Sequence, residues 1–228
     1  MGLLIILHHL NHSRSQRILW LLEELELDYD IQYYERDPET MLAPPLLRQV
    51  HPLGKSPVIT DGDLTLAESG AIIEYLIDRY GGGRLAPLPE TPERLRYRYW
   101  LHYAEGSAMP PLLLKLVFDR LEQEPLPFFI KPIAQLISNR VKSSFITPQI
   151  TQHFDYIEAE LGKNLWFVSD DFTAADIQMS FPIELVDMDV SRPNLIAYLN
   201  RIHIRPAYQR ALERGGPFEL ASQLKLTQ

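Results

Sequence analysis

The stretch His51–Tyr75, HPLGKSPVITDGDLTLAESGAIIEY, constrains the fold more than any other part of the chain. Pro57 opens an apolar run, Pro57-Val58-Ile59, and the turn pair Asp61-Gly62 links it to a second short strand over Asp63–Leu66. Glu68-Ser69 then stand at the start of a helix expected to reach about Tyr80. A proline at a strand start cannot donate to the ladder, and X-Pro bonds are the ones that adopt cis at modest cost. With Ser56-Pro57 cis, the Ser56 main chain turns outward, its N–H and C=O free to pair with an extended ligand by strand addition. Ser69 at a helix N-terminus favours a carboxylate, Glu68 suits an ammonium, and Lys55 suits a second carboxylate. Together these residues predict a polar cup for a short zwitterionic peptide. The bland alternative is a plain β-turn-β unit followed by an acidic helix start.

The flanking pattern extends this unit. Gly2–His8 reads as a buried strand, and Ser13–Leu27 as a helix with apolar residues at Ile18, Leu19, Leu22 and Leu25. Tyr29–Tyr34 alternates as a strand, and Met41–Val50 is a short irregular helix broken early by Pro44-Pro45. A βαβ unit followed by ββα is the order of an α/β thioredoxin-like domain, placed at residues 1–81. Gly81-Gly82-Gly83 stops the helix, and Pro87, Pro89 and Pro92 punctuate the region of a linker over 82–90.

Residues 91–228 show helical periodicity without a strong strand signal and read as an all-α C-terminal domain. Its first long helix starts near Thr91 and is expected to kink or break at Pro110-Pro111. The prolines between Pro125 and Pro132 break the next segment. Further helices are expected over Pro148–Leu161, Thr173–Glu184, Pro193–Ile204 and Pro206–Arg214, with Pro182 kinking or shortening the second. The segment Asp119–Phe145 reads either as part of a pocket or as a connection, and the tail from Pro217 carries no pattern. Thr173-Ala174-Ala175-Asp176 is a variant capping box with a folding role.

Composition narrows the function. A formal net charge of −8 weighs against nucleic acid and anionic membrane surfaces as partners. No window approaches the ~18 apolar residues of a membrane span, and the N-terminal LLII run is too short and lacks the basic flank of a signal peptide. A cytoplasmic protein is expected. Cysteine is absent, so there is neither a disulfide framework nor a protein thiol. His8, His9, His12 and His51 lack ligand-spaced partners, and no metal site is expected.

The KSPV…AES pattern resembles the glutathione-binding half of the cytosolic glutathione S-transferases, and the likeness runs from Leu3 to about Gly215. A Ser/Thr-x-x-Asp box like Thr173–Asp176 also occurs in that family's helical domain. The resemblance implies that Ser56, before a cis Pro57, pairs with the cysteinyl main chain of glutathione. It also implies that Glu68 and Ser69 hold the γ-glutamyl end and that Lys55 is a further ligand residue. Glutathione is then a co-substrate, no cofactor is required, and the partner is an electrophilic small molecule. A homodimer is the family expectation. The run WLHYAEGSAMPPL resembles a fungal and bacterial branch.

Conjugation needs a thiolate, and a free thiol near pKa ~8.5 is only a few per cent ionised at neutral pH. A hydroxyl donating to sulfur beside a helix N-terminus stabilises the anion. The expected place is the turn His9–Arg17, HLNHSRSQR. In serine-type members a serine lies shortly before a helical arginine, which Ser13 with Arg17 fits, while no tyrosine precedes Tyr29. Asn11 and Ser15 remain alternatives. Ser13 with Gln16 also fits a capping box, and Arg17 either adds positive potential or is a solvated arginine paired with Glu23 or another surface acid. A second-substrate pocket is placed at Tyr99, Tyr103, Pro110, Leu114 and Val117, with core or subunit interface as the alternative for the aromatic stripe. Two other functions stay open: glutathione-dependent reduction of peroxides or disulfides, and a non-catalytic glutathione-binding regulator or scaffold.

Overall fold

The computed structural model describes residues 4–123, 126–186 and 190–216. Gly2 and Leu3 of the expected first strand, Pro125 and the tail from Pro217 lie outside the described residues. A four-stranded sheet has the order β2-β1-β3-β4, built from β1 (Ile5–Leu10), β2 (Tyr29–Tyr34), β3 (Val58–Asp61) and β4 (Leu64–Ala67). β1 and β2 run parallel with Ile5 opposite Tyr29, while β3 pairs antiparallel with both β1 and β4. Central β1 is buried nearly throughout, His8 and His9 included, so its sequence does not alternate between apolar and charged residues. This is a thioredoxin-like domain, followed by a helical region.

The first helix, α1, spans Ser15–Glu24 and is shorter at both ends than its apolar pattern suggested. It closes on Glu26 in the left-handed region (φ +54°), with Glu26 N–H donating to Glu23 O and Leu27 N–H to Leu22 O. That is a Schellman-type stop without the glycine that would advertise it. α2 is a single turn, Leu47–Val50, because Pro44 and Pro45 hold the preceding chain out of the helix. α3 occupies Ser69–Tyr80 as expected.

The helical region starts with α4 (Pro92–Tyr103), whose N-cap Thr91 accepts the Arg94 N–H at 3.2 Å. Pro110-Pro111 does not end it. A π-helical turn over Ala104–Ala108 leads directly into α5 (Met109–Gln123). The wider turn lies over Gly106 and Ser107, the carbonyls that the two proline rings would strike in a regular α-helix. The same device recurs where α6 (Lys131–Val141) passes through a π turn at Lys142–Ile146 into α7 (Thr147–Leu161), just ahead of Pro148. α6 occupies part of the segment that had no assigned structure. α8 (Ala174–Glu184), α9 (Pro193–His203) and α10 (Pro206–Gly215) follow.

The Thr173–Asp176 capping box forms: Asp176 accepts the Thr173 N–H at 2.8 Å and the Phe167 N–H at 2.9 Å from a fully buried position. One apolar core runs through both parts of the molecule, joining Leu7, Ile18 and Leu22 to Trp100, Phe154, Ile177 and Tyr198. Because α1 packs against α3, α8 and α10, the turn before α1 is held from the sheet side and the helical side together.

Candidate functional site

The Ser56–Pro57 peptide bond is cis, and the β3 ladder starts only at Val58. Ser56 therefore stands outside the ladder at the strand entrance, with its O–H donating to the His8 carbonyl at 3.0 Å. Its Oγ lies 3.4 Å from Ser13 Oγ, which donates to it. The turn between β1 and α1 thus meets the loop before β3.

Ser13 is 4% exposed and does not form the expected capping box with Gln16. The Gln16 N–H instead closes a backbone turn on the Ser13 carbonyl, and the Ser13 hydroxyl accepts the Ser15 N–H at 3.2 Å. Ser15 Oγ lies 2.8 Å from Ser13 Oγ and 2.9 Å from His9 Nδ1, with the Leu10 carbonyl at 3.2 Å. Ser15 is fully buried behind Ser13. Asn11 faces away from this pair: its Oδ1 accepts the Arg36 N–H at 2.9 Å, anchoring the turn to the end of β2.

Arg17, one turn into α1, is 2% exposed, so the solvated-arginine alternative is corrected. Glu23 pairs elsewhere, with Tyr29, Arg210 and Arg214. The Arg17 guanidinium reaches three elements: it pairs with Glu105 in the first π turn, donates to Ser69 Oγ at 3.3 Å and to the Gln178 carbonyl at 2.7 Å. The last contact has a simple cause. Pro182 sits four residues after Gln178 in α8 and has no N–H, so it leaves that carbonyl for Arg17. Pro182 does not shorten the helix: α8 runs on to Glu184, and the Gln178 carbonyl is an acceptor for Arg17.

Arg14 shares Glu105, its Nε 3.1 Å from the carboxylate. Burial pushes Glu105 up, but the Arg17 and Arg14 guanidiniums outweigh it and hold the carboxyl below the usual carboxylate range. Burial lowers Arg17, with Glu105 opposing; a guanidinium stays protonated regardless.

At the other side of the cup, Ser69 is 4% exposed and opens α3, while Glu68 is its exposed N-cap at φ +75°, ψ 120°. Arg17 donates to Ser69 Oγ, so the Ser69 hydrogen is left for another acceptor at the N-terminus of α3, an end where N–H groups favour a negative charge. Lys55 is exposed on the adjacent loop. Hydrogen bonds join Ser13, Ser15 and Ser56 in one group and Arg17 with Ser69 in a second, both at the start of α1, while Glu68 and Lys55 are exposed.

Tyr99 and Tyr103 share a face, as i, i+4 spacing demands, with ring centroids 5.5 Å apart. That face turns to α7. Tyr103 Oη lies 2.6 Å from His153 Nδ1, and Trp100 stacks on Tyr156. Glu105, two residues beyond Tyr103, is the group that points to α1. Pro110, Leu114 and Val117 are exposed on α5. The aromatic pair is therefore not joined to the Ser13 turn by any contact among the described residues. Nor do the described residues include a cluster of three or more His, Cys, Asp or Glu able to hold a metal ion.

Sequence reasoning missed His9, Glu105, Gln178 and Gly215, the last of which accepts from His9 Nε2. Glu105, Gln178 and Gly215 meet the β1–α1 turn or α1 across a long stretch of chain, so no local spacing marks them, whereas His9 lies within the turn itself and meets Ser15 six residues on.

Comparison with known proteins fits this arrangement. The family described as "Glutathione S-transferase, N-terminal domain" matches residues 3–78. Glutathione S-transferase 3 of Schizosaccharomyces pombe is 37% identical, over 92% of this chain and 88% of that protein. Glutathione S-transferase 1 of Saccharomyces cerevisiae is 33% identical, over 80% of each. The crystal structure of a glutathione S-transferase from Actinobacillus pleuropneumoniae superposes with a TM-score of 0.77 at 36% identity, over 96% of both chains. The chain belongs to the glutathione S-transferase family.

Proposed function

We propose that this protein binds glutathione in the cup at the β1–α1 turn, ionises its thiol beside Ser13, and transfers the thiolate to an electrophilic small molecule in a detoxifying conjugation. The observation that carries this reading is the direction of the three serine hydroxyls. Ser56 commits its hydrogen to the His8 carbonyl, and Ser15 has His9 Nδ1 and the Leu10 carbonyl as acceptors. The Ser13 hydrogen has as acceptors only the hydroxyl oxygens of Ser15 and Ser56 among the described residues, so Ser13 is the hydroxyl that can turn to a ligand sulfur. A hydrogen bond to the anion favours ionisation, and each pKa unit gained is about 1.4 kcal/mol.

In this reading Ser56 pairs with the cysteinyl main chain beside Pro57, Ser69 and Glu68 hold the γ-glutamyl end, and Lys55 takes the second carboxylate. Residues 1–81 carry the peptide site, and residues 91–228 cover it from the helical side across the 82–90 linker. Arg17 acts behind Ser69, and the second substrate enters near α4 and α5, whose exposed face includes Pro110 and Leu114. No cofactor beyond glutathione takes part. The protein works as a cytoplasmic homodimer; among the described residues no helix is long and apolar enough to cross a membrane.

The test is an ultraviolet difference titration of bound glutathione against pH. Wild type should show a thiolate midpoint well below the ~8.5 of a free thiol. Ser13→Ala should raise that midpoint by about one unit or more while S-methylglutathione affinity stays within about twofold. An unchanged midpoint in Ser13→Ala would move the donor role to another residue. Glutathione bound with no thiolate at all would make the protein a carrier or scaffold.

A further inference from the structure

His9 is 3% exposed, and its two ring nitrogens are committed in opposite senses. Nε2 lies 3.0 Å from the carbonyl oxygen of Gly215 at the end of α10. A carbonyl only accepts, so Nε2 carries the hydrogen. Nδ1 of the neutral ring is then a lone pair, and it faces Ser15 Oγ at 2.9 Å. Ser15 Oγ faces Ser13 Oγ at 2.8 Å. Ser15 therefore donates to His9, and the Ser13 hydrogen, which reaches Ser56 Oγ at 3.4 Å, turns to Ser15 Oγ at 2.8 Å to complete a one-way path from Ser13 through Ser15 to His9. The arrangement depends on a glycine: a Cβ on residue 215 would sit 2.6 Å from Leu19 Cδ2 and 3.1 Å from His9 Cε1. A larger side chain at 215 would have to push aside the ends of the Leu19 and Gln16 side chains as well as crowd the ring.

Resting on the reading that Ser13 faces the thiol, we infer that His9 is the terminal proton acceptor for the glutathione thiol, reached through Ser13 and Ser15. The S–H bond breaks and its hydrogen goes to Ser13 Oγ, with the electron pair left on sulfur. The Ser13 hydrogen passes to Ser15 Oγ, and the Ser15 hydrogen passes to His9 Nδ1. Each oxygen gains one hydrogen and loses one, so the net change is a thiolate and an imidazolium. The transfer also reverses the hydroxyls and leaves the Ser13 O–H pointing at the new anion.

The groups facing the ring suit this use. Burial lowers His9 and keeps it neutral before the transfer, the Gly215 carbonyl raises it, and His12 in the turn lowers it. The ring of Tyr33 from β2 meets it edge-on at 6.0 Å. Once the proton arrives, the C-terminal end of α10 favours the cation. His9 touches no substrate and is a positioning residue that acts through two hydroxyls, in the way a base is held by a third group in nucleophile–base pairs.

The test is ¹⁵N NMR of the His9 ring in the full chain, with bound thiolate followed by ultraviolet absorbance. Glutathione should convert His9 from the Nε2–H tautomer to the imidazolium, and S-methylglutathione, which has no thiol proton, should not. His9→Gln keeps a donor for Gly215 but has no Nδ1 acceptor, so it should lower the thiolate fraction by about tenfold at neutral pH without loss of S-methylglutathione affinity. Ser15→Ala should do the same, and the double variant should lose no more than either single one. A wild-type thiolate with His9 still neutral overturns the relay and leaves the Ser13 reading standing. Absence of any wild-type thiolate overturns both.

Discussion

Glu68 holds a backbone conformation, φ +75° and ψ 120°, that a side chain with a Cβ adopts at a cost of about 1–3 kcal/mol. Its place explains why the position is not relaxed. It joins the end of β4 to the first turn of α3, and its exposed side chain belongs to the proposed peptide site. Two substitutions separate the backbone from the carboxylate. Glu68→Ala and Glu68→Gly both remove the acid and should both weaken glutathione binding by about tenfold, as expected for loss of a charge-assisted contact. Only glycine is at home at this φ, so Glu68→Gly should be more stable than Glu68→Ala by about 1 kcal/mol in urea unfolding. Equal stabilities would show that the surrounding structure carries no strain at this position.

Among the elements, the ones with undisturbed pattern were legible: β2 at Tyr29–Tyr34, the hairpin of β3 and β4, α3 at Ser69–Tyr80 and the capping box of α8. What was illegible has a common cause in proline. Pro92, Pro132, Pro148, Pro193 and Pro206 all occupy first-turn helix positions, where the missing N–H costs nothing. At Pro148, Pro193 and Pro206 the helix start was legible, but Pro132, read as a breaker, hides α6, although Ile133, Leu136 and Ile137 have helical spacing. Pro110 and Pro111 are absorbed by a π turn whose extra residue no periodicity announces. The capping box, by contrast, is local and therefore visible. Asp176 accepts from Thr173 N–H, Thr173 Oγ1 and Phe167 N–H while fully buried. Asp176→Asn turns an amide N–H₂ toward these donors, so it should cost about 1–3 kcal/mol in urea unfolding. A loss below half that range would mean that the box is dispensable for α8.

Across the whole molecule, the Ser56–Pro57 turn and the Glu68-Ser69 start of α3, where the peptide cup is proposed, were readable because they lie within one short unit, whereas the contacts that hold α1 beside them come from afar. Arg17 meets Glu105 at a separation of 88 residues and Gln178 at 161, and His9 meets Gly215 at 206. The Arg17–Glu105 pair is one of several ion pairs between the sheet domain and the helical region, beside Arg205–Glu24 and Arg210–Glu23. Glu105→Gln leaves the Arg17 guanidinium buried without its counter-charge. Because the Glu105 side chain is 33% exposed and water can enter from that side, the cost should be about 1–3 kcal/mol near neutral pH, below that of breaking a fully buried pair. The sign with pH follows from the carboxyl lying below its ordinary 4.5 in the folded state. Above 4.5 both folded and unfolded chains are ionised here and the pair contributes fully. As pH falls below 4.5 the unfolded chain takes up a proton first, and the advantage fades through the folded value. Urea unfolding of wild type and Glu105→Gln, stepped from about pH 7 to about pH 3, should therefore show curves that converge on acidification. A constant gap across that range would mean that Glu105 holds the domains by shape, with its charge playing no part.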